Sequence, residues 1–178
     1  DGNDGLCNPA NVASNIPIEE AECNFPVRIE RYGLVRDSGG AGKFRGGIAV
    51  EREWQLLEGE AHLAIRSDRR DHLPYGLYGG KPGTGSLNTL HRGDQEETLI
   101  TMISTTMSAG ERLHHRQAGG GGWGDPLERD PPEVAADVKA DKVSVMAARD
   151  QYGVAVDPTS FTVDEAATAR LRATPRRT

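Results

Sequence analysis

The sequence predicts an α+β protein: an antiparallel, β-rich domain with long glycine-rich loops over residues 1–125, then a short helical segment over residues 126–178 that packs on it or on a partner chain. Three observations lead there. Of the 22 glycines, only Gly153 lies beyond Gly124. The glycine-bearing part alternates apolar and polar positions between turn residues, the pattern of half-buried antiparallel strands. The remainder carries helix caps instead. Ordering glycine costs backbone entropy, so its clustering over residues 37–47 and 119–124 implies sharp bends or a backbone held close against something else.

In chain order, residues 26–35 predict a strand with Val27 and Ile29 on one face and a bulge at Gly33, where the apolar phase switches. Over residues 48–57, Ile48, Val50, Trp54 and Leu56 share a face into which Arg52 also falls, so that charge must be paired or reach solvent at the sheet edge. Residues 61–67 alternate, with Ala61, Leu63 and Ile65 opposite His62 and Arg66. Residues 99–107 are apolar on both faces, predicting a central, doubly covered strand. Shorter strands are expected over 87–91 and 111–117. The glycines and prolines of residues 73–85 predict a long shaped loop, anchored by Tyr75 and Tyr78 or turning them to a partner; anchoring is the commoner fate of a large aromatic ring.

Asp130-Pro131-Pro132-Glu133 places an acid at an N-cap and proline at the first helical position, predicting a helix to about residue 140. Ser144 caps a second, with Val145, Ala148 and Tyr152 in register and Gly153 as its left-handed stop. Thr162-Val163-Asp164-Glu165 reads as a capping box for a third, whose end carries Arg170, Arg172, Arg176 and Arg177. With so little Leu or Ile, these helices are expected to lie on another surface.

A formal charge of −6 over 178 residues and no long basic stripe exclude a nucleic-acid binder. No apolar run approaches the roughly 20 residues of a membrane span. Cys7 and Cys23 are too few for a disulfide framework and predict reduced, packed thiols in a cytoplasmic protein. The opening Asp1-Gly2-Asn3-Asp4-Gly5 suggests a fragment or a processed chain.

Gly42-Lys43 is not a phosphate loop, because Asp37 stands where the pattern needs glycine and Phe44 where it needs Ser or Thr. Gly119–Gly124 matches a dinucleotide fingerprint formally, but Asp125-Pro126 follows at once and no strand-turn-helix surrounds it. His62, His72, His91, His114 and His115 show no helical i, i+4 pair, and His114 and His115 face opposite sides of a strand, so no metal site is expected within the chain. The group Ser67-Asp68-Arg69-Arg70-Asp71-His72 follows a strand, where polar groups often meet ligands; a solvated turn with self-paired charges is the plainer reading. Arg45, Arg69 and Arg70 can meet an anion, with Asp68 or His72 as proton carriers. Arg45 can equally brace its own glycine loop.

Asn15-Ile16-Pro17-Ile18-Glu19, Phe25-Pro26-Val27-Arg28, Arg31-Tyr32, the glycine run from Asp37 to Gly47, Gly76-Leu77-Tyr78-Gly79-Gly80 and Gly119-Gly120-Gly121-Gly122-Trp123-Gly124-Asp125-Pro126 occur in this order. Together they resemble the C-terminal part of the hydantoinase B/5-oxoprolinase family, related to acetone and acetophenone carboxylase subunits, from about Asn15 to Leu171. The resemblance implies an ATP-dependent complex that hydrolyses a phosphate-activated cyclic amide. ATP and Mg would sit on an A-type partner subunit, and a divalent metal in the rest of the B-type subunit; none of these cofactors would be held by this chain. The chain would then be active only with those partners. Two alternatives stand: a non-catalytic β-rich assembly module, and a subunit of an ATP-dependent ketone carboxylase. Arg45, Asp68, Arg69 and His72 remain the candidate catalytic residues on their chemistry, since no family motif maps onto them.

Overall fold

A computed structural model describes residues 1–5 and 16–173. Cys7, Asn15, Arg176 and Arg177 lie outside the described residues. The elements run α1 (Ile18–Asn24), β1 (Val27–Leu34), β2 (Val50–Leu56), β3 (Glu60–Arg66), β4 (Leu87–Arg92), β5 (Gln95–Thr98), β6 (Met102–Ser108), β7 (Arg112–Arg116), then α2 (Pro131–Lys139), α3 (Val145–Tyr152) and α4 (Glu165–Ala173). The expected α+β class and antiparallel strands are present. Helix α1 and strand β5 have no counterpart in the sequence reading.

Five strands form one antiparallel sheet in the order β1-β2-β7-β4-β5, and β3 pairs with β6 in a second. The inward faces meet in one apolar cluster: Leu56, Leu63, Ile65, Leu90, Leu99, Met107 and Leu113, with Trp54 packed against them. The period-2 pattern of β2 and β3 therefore places the core as expected.

Strand β6 is not the doubly covered centre expected of residues 99–107. Among the described residues it pairs with β3 alone, and Ile100 and Met102 are each 64% exposed. The two-faced apolar character is confined to the start of the run. Beyond Met102 the outward positions are Ser104 and Thr106, which need no cover, while Ile103 and Met107 face inward.

The bulge is also displaced from its expected position at Gly33. The register slips between Ile29 and Arg31, and Gly33 pairs regularly with Glu51. This extra residue turns Tyr32 onto the inter-sheet face, directly opposite Arg52. Arg52 is half-buried rather than at the sheet edge; among the described residues no carboxylate pairs with it, and its guanidinium lies 4.6 Å from the centre of the Tyr32 ring.

Three glycine-rich segments, residues 38–47, 74–85 and 119–124, lie side by side, each hydrogen-bonded through its backbone to the other two. Gly40 N–H donates to Gly120 O (2.8 Å), Lys81 N–H to Ala41 O (2.7 Å), and Gly122 N–H to Lys81 O (2.9 Å). Thr84 N–H donates to Ser38 O (2.9 Å) and Gly119 N–H to Thr84 O (3.0 Å). A Cβ at Gly40, Gly42, Gly46, Gly80, Gly83, Gly119, Gly121 or Gly122 would lie closer than 3.0 Å to a neighbouring segment's backbone. Glycine is required here by close approach. Tyr75 and Tyr78 do not anchor the loop by burial; they are 71% and 79% exposed. Trp123 bridges Phe44 and Leu77 through its backbone, and its ring lies 5.6 Å from Phe44 and 5.3 Å from Tyr78.

The helices start and stop largely as read. Ser144 Oγ accepts from Ala147 N–H (3.0 Å), and Gly153 takes φ 63°. Asp130 precedes α2 without a side-chain cap, and α4 is capped by Asp164, which accepts from Ala167 N–H (2.9 Å); Thr162 bonds Ser160 instead. Apart from Tyr152 their core is built of small residues: Val134, Val138, Ala147, Ala148 and Val154 close with it around Ala41 of the first glycine segment. The glycine layer is thus the surface on which they rest. Cys23 is a free, exposed thiol on α1, against the expected packing.

Gly40→Ala and Gly122→Ala should each lower the unfolding free energy by more than about 2 kcal/mol in urea titrations. Gly33→Ala, where a Cβ meets nothing within 4 Å, should change it by less than about 1 kcal/mol. Equal effects at the three positions would contradict the packing argument.

Candidate functional site

The candidate residues occupy two places. Arg45 follows the first glycine segment's turn and points beneath the layer, where its side chain is 2% exposed. Its Nη1 donates to Asp4 Oδ1 (3.0 Å) and to Gly46 O (2.6 Å), and its Nε to Asp137 Oδ2 (3.3 Å). Asp137 lies on the inward face of α2 and also accepts from Arg129 Nη2 (2.8 Å). Arg129, equally buried, donates to both Asp1 carboxylate oxygens and to Lys43 O. Lys142 Nζ lies 2.7 Å from Asp4 Oδ2. Three carboxylates and three cations thus tie the opening residues, the glycine layer and the helices together. Buried charge is tolerable only when paired and hydrogen-bonded in this way. Arg129 Nε is buried without a partner among the described residues.

Burial alone raises the Asp4 carboxyl, but hydrogen bonds from Lys142, the Ile48 N–H and Arg45 outweigh it and hold it at about 2. Tyr152, beside Arg129 and Asp137, is pushed up to about 12 chiefly by burial, against the opposing pull of Arg129.

Asp68, Arg69 and His72 share a second place, the exposed turn after β3. Ser67 Oγ lies 2.9 Å from Ser86 Oγ, which donates to Asp68 O (2.6 Å), and Ser86 N–H donates to Arg69 O (3.2 Å). Arg70 turns inward to donate to Leu99 O. Arg69 sits at φ 60°, so the turn is held in a conformation that side chains rarely adopt. The three exposed side chains can meet a partner or an anion. Among the described residues, Arg45 pairs with Asp4, Gly46 and Asp137 and with none of these three. Among the described residues, no three His, Cys, Asp or Glu side chains gather as metal ligands, and no helix is long and apolar enough to cross a membrane.

The sequence reading missed Arg129 and Asp137. Asp137 was visible as an acid between Val134 and Val138 on a helical apolar stripe.

The family model for hydantoinase B/oxoprolinase matches residues 1–126. The chain belongs to this family. The caprolactamase beta subunit of Pseudomonas jessenii is 39% identical over 161 residues, covering 88% of this chain and 28% of that one. In the crystal structure of ATP-dependent caprolactamase from the same organism, the matching region superposes with a TM-score of 0.78 at 38% identity, over 89% of this chain and 28% of that chain. The nucleotide-free structure of acetone carboxylase gives 0.74 at 26% identity, over 88% and 26%. The chain therefore spans under a third of the length of these relatives.

Asp137→Ala leaves two buried guanidinium groups short of a carboxylate and should cost about 3–5 kcal/mol of stability, read from denaturant unfolding. Asp4 has a folded pKa near 2 against an ordinary 3.8. Its stabilisation is full above pH 3.8 and is lost as pH falls toward 2. Over that window wild-type stability should fall more steeply than that of Asp4→Asn; parallel profiles would contradict the assignment.

Proposed function

We propose that this chain is a portion of a B-type subunit in an ATP-dependent complex that hydrolyses a phosphate-activated cyclic amide, a lactam or hydantoin. The similarity to ATP-dependent caprolactamase, at a TM-score of 0.78 and 38% identity, carries this reading. An A-type partner would supply ATP with Mg and phosphorylate the amide oxygen, releasing ADP. One water then attacks the activated carbon and the ring C–N bond breaks to leave an acyl phosphate; a second water releases phosphate and the ring-opened amino acid, N-carbamoylated where the ring is a hydantoin. Phosphorylation makes an otherwise poor electrophile attackable, and cations stabilise the charge that develops. A divalent metal belongs, in this reading, to the rest of the B-type subunit.

Within that complex the chain contributes a wall. Arg45 braces it from behind, and Asp68, Arg69 and His72 are the groups offered outward, with Arg69 placed to meet an anion. The likeness to acetone carboxylase supports a second reading, in which the activated species is carboxylated rather than hydrolysed.

The test is the chain purified with its co-purifying partners, given ATP and either caprolactam or 5-oxoproline, or acetone with bicarbonate, with products followed by mass spectrometry. Ring opening that requires ATP and the partners is expected. Arg69→Ala should lower kcat by about tenfold or more with the complex intact on native mass measurement. Carboxylation without ring opening would select the second reading. Loss of assembly in Arg69→Ala, with residual complex fully active, would make the chain an assembly module.

A further inference from the structure

Cross-strand register lines up four polar side chains on the inter-sheet face. Tyr32, Arg52, His115 and Asn88 are directly opposite one another across β1, β2, β7 and β4. The row interrupts an otherwise apolar face and opens into a cleft of about 440 Å³ beside β3, a size typical of small-molecule sites. Arg66 also lines it, from an exposed position. No carboxylate does among the described residues, although the chain carries 27 acidic residues. The acids of β2, Glu51 and Glu53, lie on the opposite face with His114, Arg31 and Arg112.

The row is built rather than incidental. Asn88 is 1% exposed, and its Oδ1 lies 2.5 Å from His115 Nδ1, which fixes the imidazole. Tyr32 takes one face of the Arg52 guanidinium. Among the described residues no acceptor is hydrogen-bonded to its fork of donors, the geometry that receives a carboxylate. Around it, Trp54, Leu63 and Leu113 supply apolar walls. A bare inorganic anion would leave those walls unused, and a neutral apolar molecule would leave Arg52 desolvated without a counter-charge.

We propose that the cleft between the two sheets binds a small organic monocarboxylate, with its carboxylate on Arg52 and its short apolar body against Trp54, Leu63 and Leu113. The site does not depend on the hydrolytic role proposed above. It also has a built-in reporter. Burial, then the charge of Arg52, then His114, hold the His115 imidazole below its ordinary range. Arg52 of β2 and Asn88 of β4 flank it directly, with Tyr32 of β1 and Arg66 of β3 lining the same cleft and His114 next to it in sequence, so an anion on Arg52 relieves the repulsion and raises the titration of His115.

Hexanoate titrated into the 178-residue chain, with histidine and arginine side chains followed by NMR, tests this. A saturable shift of Arg52 and His115, with His115 titrating at higher pH when saturated, is expected. Hexanamide should bind about tenfold more weakly or less, and Arg52→Gln should weaken hexanoate by at least about tenfold. Arg66→Gln, on an exposed residue, should weaken it severalfold and decides the matter if Arg52→Gln fails to fold. Arg31→Gln, on the opposite face, should bind as wild type. The proposal is overturned if hexanoate gives no saturable shift, if hexanamide binds equally, if Arg66→Gln and a folded Arg52→Gln both bind as wild type, or if inorganic phosphate displaces hexanoate at equal concentration.

Discussion

Close approach of three backbones is the constraint on which the rest of this structure depends. Segments 38–47, 74–85 and 119–124 exchange hydrogen bonds at distances that leave no room for Cβ atoms at eight glycines. Ordering glycine is entropically costly, and the return is a layer in which polar main-chain groups satisfy one another without a regular sheet. Because the segments come from between β1 and β2, between β3 and β4, and after β7, the layer fixes the spacing of strands distant in sequence. The helical core then closes on Ala41, in the middle of that layer.

Charge completes what the backbone begins. Arg45 and Arg129 pass behind the layer to Asp137 on α2, while Asp1 and Asp4 bring the opening residues onto the same cations. Buried pairs of this kind add little net stability compared with apolar packing, but breaking one partner is severe, so they enforce a single arrangement of the three parts. The outward side of the layer is different in character: Phe44, Tyr78 and Trp123 cluster there with their rings partly in solvent.

Much of this was legible in the residues. Alternation placed Leu63 and Ile65 inward, and Ser144 and Gly153 marked the ends of α3. Features that depend on a partner's register were not. The bulge lies at Ile29/Arg31, where β1 advances two residues against consecutive Trp54 and Glu53 of β2, a pairing that β1 alone does not reveal, and β6 was misjudged because its apolar start reaches solvent. Glycine runs announced close approach but not what approached; each run's neighbour turned out to be another glycine run. Among the candidate residues, Arg45 was read either as a contact for an anion or as a brace of its own glycine loop; its carboxylate acceptors come from positions 4 and 137, too far along the chain for spacing to show. Arg52 was visible as a charge in an apolar stripe, and the row it joins required the register of four strands.

The wall proposed for this chain needs rigidity where glycine would ordinarily bring mobility. Native-state hydrogen exchange of the amides of Gly40, Leu77, Lys81, Gly119 and Gly122 tests that most directly. The account requires these amides to exchange only through global unfolding, as slowly as the core of β7. Exchange through local opening, faster than in α2 and α3, would show that the glycine layer follows the fold rather than holding it.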